Sequence, residues 1–544
     1  MEGYVIISKI RVQNYKLLKD VCIPINPDIN VFVGENDAGK STLLEVVSII
    51  TSGKLNGYAF SKQIKDNMFN IDVRNAYIAS LNGNEPIAPP KIIMEAYCAN
   101  GDALYSGSNN LLSEDVAGIR VVAEFDNQYE RVYKEMLVAG EVKDIPVEFY
   151  RADCKYFSGE PVSYRYCPIK SVFVDTTRKD YTGVVDRFVS ENITQYLSPE
   201  DQVDLSIAYR KVRANFSNSG TITKLNEELK KGQALNGRVF SLELRENDVD
   251  EWKRQMAISI DTIPFEQIGF GTQNTIKVEL AIAHDAEEVN MILMEEPENC
   301  LSHTNMAKLV HRVSSTEGKQ IFVSTHSSFI ANKLNLGNLL LVEKGEVKPF
   351  RDLPNGTINY FKKLPGYDTL RLVLAEKVVL VEGPTDDLII QRAYKDKKGC
   401  LPSENGIDII AVDSLAFKRY CDIAVILKKK IAVVTDNDGN IALNINEKYS
   451  EYKDSPYIRI FYEMDEALNT IEPSVLAVNC DENGAPTEEF KTVISCETSL
   501  MNRDYDGILG FMSKNKSEWA ARVFDSEASI HYPAYIKELI DEYC

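Results

Sequence analysis

The stretch Val31-Phe-Val-Gly-Glu-Asn-Asp-Ala-Gly-Lys-Ser-Thr42 constrains this chain more than any other. A short apolar strand runs into a turn bracketed by glycines, and a helix opens at Ser41. Gly34, Gly39, Lys40 and Ser41 satisfy the spacing G-x-x-x-x-G-K-[ST]. Glycines there let backbone N–H groups turn inward around an anion, and the helix N-terminus adds its partial positive charge. Lys40 is placed to reach the outer phosphates, and the Ser41 hydroxyl to ligate magnesium. Asn36 and Thr42 complete the candidate nucleotide-binding set. The pattern predicts a bound nucleoside triphosphate, ATP with Mg²⁺.

With 544 residues the chain has material for two to four domains. The N-terminus alternates apolar and polar residues and lacks the arginine-flanked apolar run of a signal peptide. No run of ~18 uninterrupted apolar residues is present, so no membrane partner is expected. Ten cysteines without C-x-x-C pairs and only five histidines argue against a zinc site. Free thiols fit a reducing cytoplasm, the expected location. The net charge of −20 argues against indiscriminate nucleic-acid binding over the whole surface. It leaves room for a local basic groove.

Along the chain, strand-like runs at 4–12 and 29–33 flank a polar turn at 14–20. The run Ile10-Arg-Val-Gln-Asn-Tyr-Lys-Leu-Leu-Lys-Asp-Val, leading into Asn30-Val-Phe-Val-Gly-Glu-Asn, resembles the opening of the RecF/SMC/ABC-type ATPase heads. Residues 52–69 read as loop. Alternation predicts antiparallel strands at 91–97, 117–125, 130–138 and 146–150, matching the β-lobe of those heads. From 178 to 237 the pattern turns helical and polar, with helices expected at 184–196, 199–215 and 222–231. Such an insert could pack on the head or on a second copy as a dimerisation arm. Residues 238–268 return to strands and a short helix.

Gly269, Gly271 and Gln273 precede an apolar helix expected at 278–283. They resemble a weakened ABC signature loop, which implies backbone amides offered to the nucleotide of the opposite subunit. A plain turn leading into a helix reads equally well. Met291-Ile-Leu-Met-Glu-Glu-Pro-Glu-Asn-Cys-Leu-Ser302 is an apolar strand ending in two acids, the Walker B arrangement. Glu295 would hold magnesium, and Glu296 would polarise the attacking water. The following Pro297-Glu-Asn-Cys-Leu-Ser resembles a D-loop. Downstream, Gln320-Ile-Phe-Val-Ser-Thr-His-Ser-Ser328 ends a strand in His326, where ABC-type heads place the histidine that senses γ-phosphate. A hairpin is expected around Lys344-Gly345. The polar stretch 352–368, with Pro354-Asn-Gly and Pro365-Gly, is the best linker.

The last third restarts with alternating strands (378–381, 407–412, 431–434) and helices (385–394, 415–427). That succession predicts a small parallel sheet with helices on both sides, and ligands at the carboxyl ends of its strands. Glu382 ends the first strand; Asp436 and Asp438 end the third. Three carboxylates at one sheet edge repel one another unless a cation neutralises them, and oxygen-only ligands suit Mg²⁺ or Mn²⁺. Val379-Leu-Val-Glu-Gly-Pro-Thr-Asp-Asp387 with Thr435-Asp-Asn-Asp-Gly439 resembles the Toprim (topoisomerase–primase) domain. The resemblance implies metal ligands at Glu382, Asp386, Asp436, Asp438 and, in Ser495-Cys-Glu-Thr-Ser-Leu500, Glu497. It implies that Glu382 serves catalysis and that Lys516 is the basic residue stabilising charge on the pentavalent phosphorus. The glycine-rich segment usual between the acidic motifs is replaced by Val412-Asp-Ser-Leu-Ala, which puts Asp413 and Ser414 in doubt.

An ABC-type head followed by Toprim resembles one family over nearly the whole chain, the OLD (overcoming lysogenization defect) nucleases. That family includes the nuclease subunit of the Gabija antiphage system and retron-linked effectors. The resemblance implies an α/β protein with ATPase head segments at 1–177 and 238–368, a helical insert at 178–237 and a Toprim nuclease domain at 369–544. It implies an ATP-binding, metal-dependent DNA endonuclease, a homodimer or larger, in prokaryotic defence. A helicase-like partner or a reverse transcriptase with its msDNA is implied alongside. The rival from another class is an SMC- or RecF-like DNA clamp whose Toprim is a non-catalytic platform. Long heptad arms would support it, and the insert is too short for them. A topoisomerase would need a tyrosine presented by a DNA-gate domain, and a primase a template-binding module; neither is evident.

Overall fold

The computed structural model describes residues 5–81, 86–164, 166–176, 197–231, 259–283, 289–350, 369–412, 416–495 and 500–544, with positions 83, 242, 252, 356 and 357 between them. The expected helix at 184–196, most of the linker at 352–368, Asp413, Ser414 and Glu497 lie outside the described residues. By packing, the chain falls into two compact units. One gathers Ser163–Val323 with the first few residues, and the other gathers Ile7–Val162 with Ser324–Cys544.

In the second unit, Ile6–Tyr15 and Leu18–Pro24 form an antiparallel hairpin, with Tyr15 opposite Leu18. The expected polar turn is thus mostly strand. Tyr15 and Leu18 are both fully buried, and only a tight turn with Lys16 at φ 48° separates them. The antiparallel sheet continues through Ile92–Ala99 and Val116–Phe125 to Tyr150–Tyr156. Two expected strands fail here. Residues Glu130–Ala139 form an α-helix closed by Gly140 in the left-handed region. Its exposed faces pair Lys134 with Glu130 and Arg131 with Glu135, the i,i+4 contacts that only a helix offers. Its buried Tyr133 hydroxyl meets that of Tyr77 at 2.8 Å. Residues Val147–Phe149 are a 3₁₀ turn, and the strand begins only at Tyr150.

The strand Ile29–Val33 pairs in parallel with Leu339–Glu343, which turns back on Glu346–Pro349 through the expected Lys344-Gly345 hairpin. Gly345 is obligatory twice over. Its φ is +82°, and a Cβ there would stand 2.3 Å from the Leu17 carbonyl.

The C-terminal part of this unit is a parallel four-stranded sheet in the order Ile407–Ala411, Lys377–Val381, Ile431–Val434, Ile458–Phe461. Three of these strands match the expectation, and the edge strand Ile458–Phe461 adds to it. Val378, Val379, Leu380 and Val381 are all fully buried, as in a sheet covered on both faces. The helices Pro384–Lys398, Lys516–Asp525 and Ala534–Glu542 share one apolar core with it, centred on Trp519, Ile389 and Ile536. Gly399 ends the first of them with its αL cap.

In the first unit, Ser171–Asp175 runs parallel to Met291–Glu295, Asp175 opposite Glu295. The helix Pro199–Ser217 starts from a capping box made by Ser198 and Asp201, and Gly220–Lys231 follows it. Both match the expected helical insert where it is described. The apolar helix expected at 278–283 instead spans Phe270–Ala283, so Gly271 and Gln273 lie in its opening turns rather than in a loop.

Candidate functional site

The phosphate loop follows Ile29–Val33 directly, and its helix runs Lys40–Ser52. Gly39 adopts φ 111°, a conformation that favours glycine. A Cβ on Gly34 would collide with the Val342 carbonyl at 2.4 Å, so this glycine lets the neighbouring strand approach the loop. Lys40 is 6% exposed, and its Nζ donates to the carbonyls of Gly34 at 2.8 Å and Glu35 at 2.7 Å. The loop wraps its own lysine. Asn36 and Ser41 are exposed and Thr42 is buried. His326 is also exposed, one residue beyond the strand Gln320–Thr325.

In the other unit, Glu295 ends its strand and Glu296 follows with φ 45°. The buried Thr176 hydroxyl donates to the carbonyls of Glu295 at 2.8 Å and Glu296 at 2.5 Å. Asn299 donates to the Glu296 carboxylate at 3.1 Å. These bonds hold the turn that presents both acids. Gly271 packs so closely on the Cys300 carbonyl that a Cβ would lie 2.3 Å away. Gln273 is buried and spends its amide on the carbonyls of Phe265 and Ile268, 2.9 Å each. Within this chain both residues do packing work.

The acids of the C-terminal sheet come together at the carboxyl ends of Lys377–Val381 and Ile431–Val434. Glu382 accepts from the Thr435 hydroxyl at 2.6 Å and from the Asp436 N–H at 3.1 Å. Asp386 caps the helix Pro384–Lys398 by accepting from the Gly383 N–H at 3.2 Å. Asn437 is buried between the two aspartates of Asp-x-Asp. It donates to the carbonyls of Glu463 at 2.8 Å and Asp465 at 3.0 Å and accepts from the Gly439 N–H. That anchor forces the turn in which Asp438 has φ 47° and faces solvent.

Glu472 was missed from the sequence. It opens the helix Ile471–Val478, is 1% exposed, and lies close enough to Asp436 and Asp386 to raise both. Its Oε2 accepts from Thr470 at 2.8 Å. Its Oε1 is buried, has no hydrogen-bond partner among the described residues, and faces the Lys516 ammonium at 3.4 Å. The signal was faint, a lone acid in Thr470-Ile-Glu-Pro-Ser474 with no glycine or second acid beside it.

Burial first, then the carboxylates of Asp386, Glu382, Glu472 and Asp438, pushes Asp436 up to about 9. Burial and Glu382 push Asp386 up to about 7. Such mutual repulsion is relieved by a cation. The donors are all hard oxygens, and one of them, Glu472 Oε1, is buried with no hydrogen bond among the described residues, a set that fits Mg²⁺ or Mn²⁺. Among the described residues, no three His, Cys, Asp or Glu side chains already stand around one point. The acids form an electrostatic basin, not a closed cage.

That basin has a measurable consequence. An unfolded aspartate loses its proton near pH ~4. Between there and about 9, folded Asp436 keeps a proton that the unfolded chain has released. Stability from this group is therefore present at low pH and lost as pH rises through that window. The melting temperature of metal-free protein should fall from about pH 6 to about pH 9, and the rise on adding Mg²⁺ should grow over the same range. Asp436→Asn should flatten both trends. Equal pH trends in parent and variant would remove Asp436 from the ion's surroundings.

A family model for the AAA ATPase domain matches residues 6–93 and 174–331. One for the overcoming lysogenization defect protein-like TOPRIM domain matches 373–438. That second match includes Glu382, Asp386, Asp436 and Asp438 and ends before Glu472 and Lys516. No curated protein matches the chain. Among solved structures, an SMC head bound to the C-winged helix domain of ScpA is similar at 14% identity and TM-score 0.32, covering 64% of this chain and 97% of that one. The SMC head domain from Thermotoga maritima gives 13% and 0.30, covering 63% and 98%. The recombination mediator RecF with ATP gives 12% and 0.34, covering 64% and 99%. These likenesses are remote. The chain joins an AAA ATPase domain to an OLD-like Toprim domain, and no helix among the described residues is long and apolar enough to cross a membrane.

Proposed function

We propose that this ATPase–Toprim protein of OLD type is an ATP-binding, metal-dependent DNA endonuclease that acts in antiphage defence as a dimer or larger assembly. The observation carrying the reading is the convergence of Glu382, Asp386, Asp436, Asp438 and Glu472 beside Lys516. So much negative charge in one place suits holding metal and suits little else. When bound, divalent ions would supply Lewis acidity to the scissile phosphodiester and an activated water to attack it. Glu382, Asp386, Asp436, Asp438 and Glu472 would hold them, and the family resemblance implies Glu497 as a further ligand. Thr435 and the Asp436 N–H orient Glu382, and Lys516 offsets charge on the phosphorane.

On the ATPase side, Gly34, Asn36, Gly39, Lys40, Ser41 and Thr42 would bind ATP and its Mg²⁺. Glu295 would assist the ion, Glu296 would polarise water, and His326 would read the γ-phosphate. Gly271 and Gln273 would act on the nucleotide of a second copy, which is the reason to expect a homodimer. The helices of 178–237 are the proposed dimer contact. A cytoplasmic setting accords with the free thiols of the described cysteines. A helicase-like or reverse-transcriptase–msDNA partner rests on the family resemblance alone.

The test is supercoiled plasmid with purified protein, with Mg²⁺ or Mn²⁺ and with EDTA. Nicking that needs the metal supports the reading. The open arrangement of the acids favours one alternative, a DNA clamp with a non-catalytic Toprim platform. DNA retention without nicking in either metal would select it.

A further inference from the structure

A groove of ≈ 540 Å³ lies along the helices Tyr505–Lys514 and Lys516–Asp525. Arg503, Lys514 and Arg522 line it against Asp506 and Glu518. Glu518 is already engaged by Arg522 at 3.2 Å. Arg503 and Lys514 are exposed at opposite ends of the first helix. The turn carrying Arg503 is fixed from behind. Buried Lys491 donates to the carbonyls of Arg503 at 2.9 Å and Met501 at 3.3 Å. Gly510 presents bare backbone to the groove, with nothing within 4 Å of where its Cβ would stand. With Arg522 and Glu518 paired, Arg503 and Lys514 face the single acid Asp506, a local cationic balance in a chain of net charge −20.

Asn515, which lines the groove, directly precedes Lys516, whose ammonium lies 3.4 Å from Glu472 in the acid cluster. Its cations are spread over two helices rather than focused on one point, which suits a chain of phosphates better than a single anion. The half-buried Phe511 ring offers a sugar or base an apolar surface. We propose that this groove seats the phosphodiester backbone of a nucleic-acid strand on one side of the acid cluster. The inference rests on the nuclease reading and adds to it the path the substrate takes.

The test is binding of fluorescently labelled oligonucleotides of mixed sequence, with Ca²⁺ in place of Mg²⁺, across about 50–200 mM salt. Arg503→Ala/Lys514→Ala should weaken binding on the order of tenfold or more, equally for unrelated sequences. It should flatten the log–log salt slope by about one for each charge removed. Arg503→Lys/Lys514→Arg should restore the slope, and ATP binding and the Mg²⁺-induced rise in melting temperature should not change. Parental affinity and slope in the double alanine variant would overturn the groove while leaving the nuclease reading intact. A parent protein that binds no oligonucleotide would overturn both.

Discussion

Glu382→Ala/Asp436→Ala protein is expected to lose DNA nicking altogether while binding ATP as the parent does. The two side chains leave adjacent parallel strands, and the Asp436 N–H and the Thr435 hydroxyl both bond to Glu382. Removing both takes away two of the acids crowded at the strand ends, including Asp436, which burial and then its carboxylate neighbours raise. Losing a single stabiliser of transition-state charge typically costs about 10²–10³ in rate. Loss of two metal-holding groups should exceed that. ATP binding should survive because Lys40 follows Ile29–Val33, which pairs with Leu339–Glu343 in a different sheet. Lys516→Ala is the informative companion. Its ammonium sits 3.4 Å from Glu472, where it would offset charge on the phosphorane, so the variant should slow the chemical step. Nicking by the double alanine variant at the parental rate, in a preparation free of host nuclease, would refute the Toprim site.

What could be read from the sequence and what could not differ for a physical reason. The phosphate loop, the paired acids after Met291–Glu295 and the Asp436/Asp438 turn were legible because each joins a buried apolar strand to a short polar turn at fixed spacing. Glu472 was not, since it reaches the cluster from a helix N-terminus after an irregular loop and no local pattern reports what lies opposite it. Lys516 was named from the family resemblance, but its observed partner is Glu472; Glu497, the acid expected with it, lies outside the described residues. The helix Glu130–Ala139 was misread as a strand although its apolar residues Val132, Tyr133, Met136 and Leu137 recur at helical i,i+4 spacing. Its i,i+4 ion pairs and terminal glycine carried the contrary signal. Gly271 and Gln273 show a further limit. A glycine and a glutamine in a suggestive order are accounted for within the chain by a tight approach to Cys300 and by two carbonyls.

Lys40→Ala should abolish ATP binding at micromolar nucleotide, and Glu296→Gln should keep binding while losing hydrolysis. Lys40 is buried and donates to two carbonyls of its own loop, so its charge is held in place and poorly screened by water. Truncating one partner of a buried, hydrogen-bonded charge contact typically costs about 2–5 kcal/mol, or ~30-fold to several thousand-fold in affinity. Glu296 differs in kind. Its backbone carbonyl is held by Thr176 and its carboxylate by Asn299, bonds that a glutamine can largely keep. The exchange therefore preserves shape and removes the basic oxygen. General-base catalysis contributes about 10²–10⁴-fold, so hydrolysis should fall by that range at saturating ATP with the dissociation constant unchanged. Binding is read by titration of a fluorescent ATP analogue, and hydrolysis by phosphate release. Parental hydrolysis by Glu296→Gln would take the base assignment from this residue. Parental affinity in Lys40→Ala would mean that Gly34–Ser41 is a glycine-rich turn with the right letters and no nucleotide.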